Sequence, residues 1–173
     1  MNSSKIFLLA GSFLLYFLVQ VLMLKNMVVF GVAFCFLYVL YILLLPVEMK
    51  TIPTMLIAFV LGLSIDLFYD TMGMHILCLV AIAFVRNFWL GILTPTGGYD
   101  ENLQPSMLNM GFGWFVTYSV PLFLVHHVLF FYIDSLGTNL FFPVVQKIVA
   151  STIFVFVLSI IVQLLFYRRR RGI

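Results

Sequence analysis

Charge is the scarcest commodity in this sequence. Only 9% of its 173 residues are Asp, Glu, Lys or Arg, against about 25% in a soluble domain, so its polar side chains cannot cover a water-facing surface. That scarcity excludes a cytosolic enzyme, a soluble nucleic-acid binder and a disordered chain. Cysteine is nearly absent too. Cys35 and Cys78 stand alone inside apolar runs, with no Cys-x-x-Cys pattern beside them, and read as small packed hydrophobes, not as a disulfide, metal or redox pair. Phosphate-cradling glycine loops, haem motifs and serine elbows are also missing. Apolar residues fill the space left by these absences. They make up 64% of the chain, with 20 Phe and a mean hydropathy of +1.20, and leave an integral membrane protein as the class.

Six apolar runs, at about 6–24, 28–45, 52–69, 74–93, 110–133 and 140–167, predict six transmembrane helices in a single domain spanning 1–173. The first run has 19 residues and rises about 28 Å, matching a hydrocarbon core of about 30 Å. No small-x-small cleavage site follows it, so it reads as a retained helix. Only Lys25, Asn26 and Met27 separate it from the second run. That spacing demands a tight antiparallel hairpin, or else a segment that enters and turns back, which would leave five spans and move the N-terminus to the other side. The stretch TPTGGYDENLQPSMLN, Thr94 to Asn109, is the long polar loop that leaves the bilayer. Arg168, Arg169, Arg170 and Arg171 supply most of the net charge of +3. Directly after the last span, they orient both termini to the cytoplasm, beside anionic lipids, with 134–139 outside.

A few polar residues sit where apolar composition does not explain them. Asp66 precedes Asp70 by four residues at the end of the third span, so both carboxylates can share a face. Asp66 lies about 6 Å inside the boundary and must face the bundle, reach a wet crevice or hold a proton. It can snorkel, cap the following turn, or serve binding or assembly. Metal or catalytic chemistry would need a ligand cluster that does not accompany it. Arg86 is the deepest formal charge, roughly 12 Å along the axis from Asp66. A bridge across that gap is long, and snorkelling toward the cytoplasmic headgroups is the expectation. Asn87 beside it can tie helices by a hydrogen bond of about 1 kcal/mol. Ala58 and Gly62, one turn apart, offer a face for close helix packing, and Gly73 stands where a helix–helix turn wants a positive φ. Tyr69 and Tyr167 suit the two membrane interfaces. His126 and His127 are about 100° apart on a helix, and His75 is isolated. All three read as packed or hydrogen-bonded residues ahead of metal ligands or a proton relay.

The segment GLSIDLFYDTMG from Gly62 to Gly73, followed by HILCLVAIAFVRNFWL from His75 to Leu90, resembles the rod shape-determining protein MreD family. The chain length, the dense apolar spans and the basic C-terminus are similar too. Gly62, Asp66 and Gly73 match the family's pattern of Gly, apolar residues, Asp, a spacer and Gly, with Asp70 and Arg86 as companions; together with Asn87 they are the candidate binding or assembly residues. The loop 94–109 is long for the family. The resemblance implies a non-enzymatic inner-membrane scaffold of the cell-wall elongation machinery, without a cofactor, that maintains rod shape. It would bind the shape protein MreC, in a complex with RodA, its partner transpeptidase and the actin-like MreB. The family also resembles the six-helix substrate-binding components of energy-coupling-factor vitamin transporters. That adds a fold expectation, an all-α polytopic membrane protein, and a rival function in which the outward end holds a small molecule. A scaffold should present an apolar or aromatic flank, whereas a transporter subunit should enclose a polar ligand pocket.

Overall fold

The computed structural model describes residues 3–100, 103–138 and 141–166. Helix α1 (Ser3–Val19) continues as a π-helical turn, Gln20–Leu24. A two-stranded hairpin follows, β1 (Val28–Val29) and β2 (Ala33–Phe34), antiparallel with Val28 opposite Phe34 and Val29 opposite Ala33. The helices after it are α2 (Tyr38–Leu43), α3 (Thr51–Tyr69), α4 (Met74–Ile92), α5 (Met107–Met110), α6 (Phe112–Asp134) and α7 (Phe141–Phe166). Five of the described helices are long and apolar enough to cross a membrane: α1 with its π turn, α3, α4, α6 and α7.

The second expected helix, 28–45, is corrected by this structure. Its residues are apolar enough to span, yet they form the hairpin, a short linker and the six-residue α2. The local cause is composition: β-branched Val28, Val29 and Val32 favour extended backbone, and Phe30 and Gly31 turn the chain with positive φ of 52° and 73°. The segment does not turn back either. At its start Lys25 Nζ donates to the Phe68 carbonyl, and Gln20 Nε2 donates to Tyr69 Oη at 2.8 Å, so the end of α1 lies beside the end of α3. At its finish the Leu45 carbonyl accepts from Arg86, near the end of α4, and Val47 N donates to the Leu103 carbonyl at 2.9 Å. Because α4 returns antiparallel to α3, residues 25–46 travel the whole length of the bundle, and α1 and α3 run parallel. Lys25, Asp70 and Asp134 lie at the distal end, and 46–50, 93–100 and 103–111 at the proximal end. Helix α7 also finishes proximally, where Gln163 Oε1 accepts from Met107 N at 2.8 Å.

An irregular backbone in an apolar bundle needs partners for every N–H and C=O, since hydrocarbon supplies none. Side chains from the π turn, α6 and α7 provide several of them, as Arg86 of α4 does for the Leu45 carbonyl. Ser151 Oγ accepts from Phe34 N at 2.9 Å, Gln20 donates to the Cys35 carbonyl at 2.7 Å and accepts from Tyr38 N, and Tyr118 Oη donates to the Leu43 carbonyl at 2.8 Å. The segment is thereby placed at the centre, with Tyr38, Val39, Leu40, Ile42 and Leu43 fully buried. Around it α3 packs on α4, α4 on α6, α6 on α7, and β2 on α7. Within the described part of the loop 94–109, at the proximal end, Leu103 and Ser106 are buried and α5 begins. Within it the Tyr99 hydroxyl donates to the Leu90 carbonyl at 2.9 Å, and desolvation raises its pKa above the ordinary tyrosine value.

Candidate functional site

The distal turn is built around one carboxylate. Asp70, a left-handed residue with φ 54° and ψ 36°, caps the end of α3, and Gly73, with φ 86°, precedes the first residue of α4. This tight reversal aims the first N–H groups of α4 at Asp66. Its Oδ1 accepts from Thr71 Oγ1 at 2.6 Å and from His75 N at 3.1 Å, and its Oδ2 accepts from Ile76 N at 3.0 Å. Asp66 therefore caps the helix that follows, and its negative charge meets the positive end of that helix. Asp70 is exposed at the turn, so the expected shared face of the two carboxylates does not form. Its left-handed conformation directs the chain away from the helical register that the i, i+4 spacing assumes. Gly62, one turn before Asp66, lets α3 and α4 approach closely: a Cβ there would lie 2.6 Å from Ile76 Cα. Ala58 is buried on the same face.

Arg86 occupies the opposite end. The expectation that it snorkels toward the headgroups is corrected, because the residue is fully buried. Its Nε donates to Tyr118 Oη at 3.0 Å, Nη1 to Asn87 Oδ1 at 3.0 Å, and Nη2 to the carbonyls of Leu45 and Pro46. The planar fork thus meets the free carbonyls after α2, the negative end of a helix. Asn87 Nδ2 extends the clamp by donating to the Met49 carbonyl at 3.1 Å and to Thr51 Oγ1 at 3.0 Å. Asp66 and Arg86 therefore serve opposite ends of the bundle with separate partners. Tyr167 and Arg168 to Arg171 lie outside the described residues.

Between these ends lies a cluster that sequence reasoning missed. Tyr38 Oη is 2.6 Å from His75 Nδ1 and 3.0 Å from His126 Nε2, and all three residues are fully buried. One imidazole donates to the hydroxyl and the other accepts from it. His127, also buried, places Nδ1 2.6 Å from the Phe123 carbonyl. The ring of Phe36 lies 5.6 to 5.8 Å from all three imidazoles. Among the described residues, His75 Nε2, His126 Nδ1 and His127 Nε2 have no hydrogen-bond partner. No spacing could have found this set, because Tyr38 belongs to the irregular segment and meets α4 and α6 only through the fold. Among the described residues no group of three or more His, Cys, Asp or Glu is placed to hold a metal ion.

A crevice of about 200 Å³ opens distally, with Lys25, Cys35, Tyr69, Thr71, Phe130 and Asp134 in its wall. Tyr69 and Phe130 also contact the His75 ring, at 5.0 and 4.9 Å between centroids, and so stand between the crevice and the histidines. No protein-family profile matches the chain, and no curated protein or solved structure matches it.

Proposed function

We propose that this chain is a non-enzymatic scaffold in the bacterial inner membrane, part of the machinery that elongates the lateral cell wall and maintains rod shape. In this reading it binds the single-span shape protein MreC through intramembrane helix surfaces, with RodA, its partner transpeptidase and MreB in the same complex. It crosses the membrane six times, the irregular segment 25–46 being one crossing, and its proximal end faces the cytoplasm with Arg168 to Arg171 at anionic lipids. The observation that carries the reading is the filled interior. Residues 36–45 occupy the space among the long helices, and each is at most 5% exposed. The chemistry left to the molecule is therefore on its flanks. Helix α1 exposes Phe7, Leu8, Leu14, Leu15, Leu18 and, in its π turn, Leu22, a surface suited to van der Waals packing against another membrane helix.

The rival reading, a substrate-binding subunit of a vitamin-type transporter, has the distal crevice in its favour. At about 200 Å³ it is smaller than the roughly 300–1,000 Å³ of ligand chambers, and its wall is largely apolar. Depletion in a rod-shaped host separates the two. A scaffold's loss should displace newly inserted sidewall and round the cells, and MreC should copurify with the intact protein. Normal sidewall insertion together with a stoichiometric bound metabolite, seen by mass spectrometry on the purified protein, would favour the transporter.

A further inference from the structure

The distal crevice combines features that the scaffold reading does not use. Lys25 lies in its wall, with its ammonium bonded to the Phe68 carbonyl and 5.4 Å from the centre of the Tyr69 ring. An ammonium has three donors, so two remain for a ligand. Lys147 sits 5.5 Å over Phe34 and 5.8 Å over Phe131, two further wall residues, and adds a second positive charge behind the aromatic lining. Asp134 stands in the same wall, exposed, and has no hydrogen-bonded partner among the described residues. The same crevice therefore offers donors for an anion and an acceptor for a cation.

Its surroundings are apolar. Leu24 and Met27 line it, and Leu22, Met23, Met72 and Leu136, each next or nearly next in sequence to a wall residue, are exposed. Exposed apolar side chains around a charged mouth, level with the ends of α3 and α6, match the depth at which headgroups meet acyl chains. The volume accommodates a group of several non-hydrogen atoms and no long chain, so any tails must lie outside, along the lipid-facing surface.

We infer that this crevice binds the headgroup of a phospholipid carrying both a phosphate and a primary ammonium, the phosphate on Lys25 and the ammonium on Asp134. A phosphoethanolamine head fits both charges, with three N–H donors for the carboxylate. A phosphocholine head has the same phosphate but no N–H, so it cannot bond Asp134 and is bulkier at that point.

The test uses the full-length protein in nanodiscs of mixed phosphatidylethanolamine and phosphatidylcholine, with native mass spectrometry reading the lipid retained per chain. The wild type should retain the ethanolamine lipid about tenfold better, the scale of one charge-assisted hydrogen bond. Asp134→Asn, at an exposed position without a described partner, should leave the protein folded and bring that ratio close to one. A wild-type ratio near one, or a preference that Asp134→Asn does not change, would overturn the inference. Soluble phosphoethanolamine is the second arm. Displacement of the lipid by an equal concentration of the free headgroup would overturn the lipid assignment, and retention of the lipid supports it.

Discussion

Asp66 accepts three hydrogen bonds, and two come from backbone N–H groups that the start of a helix cannot satisfy internally. Asp66→Asn keeps one acceptor oxygen but turns an amide NH2 toward one of the three donors, so a loss of about 1–2 kcal/mol is expected. Asp66→Leu strands the N–H groups of both His75 and Ile76, at about 1–3 kcal/mol each. Thermal unfolding in detergent should therefore rank Asp above Asn and Asn above Leu. Equal stability of the three would remove the capping role. Gly62 presents the opposite case, a residue valued for what it lacks. A methyl group at 2.6 Å from Ile76 Cα meets backbone, which cannot rotate away. Gly62→Ala should destabilise by about 1–3 kcal/mol through overpacking, despite the roughly 1 kcal/mol that alanine contributes within a helix. Gly11 has nothing within 4 Å of its Cβ position, so Gly11→Ala should be neutral or stabilising in the same assay.

The central segment, residues 34–45, keeps its shape because neighbouring elements hold its backbone, and Tyr118 shows this most directly. Its hydroxyl donates to the Leu43 carbonyl and accepts from Arg86. Tyr118→Phe should raise amide hydrogen exchange in 43–47 while leaving the Asp66 turn protected; uniform change throughout, or none, would contradict local support by this hydroxyl. The same arrangement explains what could be read from the sequence. Helices α3, α4, α6 and α7 were legible because long apolar runs closed by Pro, Gly and charged residues have one economical solution in a bilayer. The run 28–45 passes the same test, and hydropathy cannot separate a helix from a strand in a short apolar stretch. Its Val-rich start and Gly31 were visible, but the decisive stabilisers were not. Gln20, Arg86, Tyr118 and Ser151 lie on four elements, and nothing in their spacing announces that they converge on one backbone. The positive φ of Gly73 was foreseen from its place in the turn, whereas the left-handed Asp70, which separates the two carboxylates, was not.

At the scale of the whole molecule, five of the described helices are long enough to span, and the proposed irregular crossing by residues 25–46 would make the number of passages even. The end of α1 sits with the end of α3, and residues 25–46 then run to the other end, so the start of α1 and the end of α7 fall on one side. In the proposed orientation that side faces the cytoplasm, as the positive-inside rule expects of the four arginines immediately after α7 in sequence. Impermeant thiol labelling in intact cells tests both statements, and the native background is low because Cys35 and Cys78 are buried. Asn26→Cys and Leu136→Cys, exposed at the distal end, should label from outside. Glu48→Cys and Asp100→Cys, exposed at the proximal end, should label only after the membrane is opened. Asn26 and Glu48 form the discriminating pair, since 22 positions separate them in sequence and a chain that merely entered and returned would leave both on one face. Labelling of the two from the same side would overturn the crossing, whereas opposite sides with reversed polarity would keep the crossing and overturn the orientation.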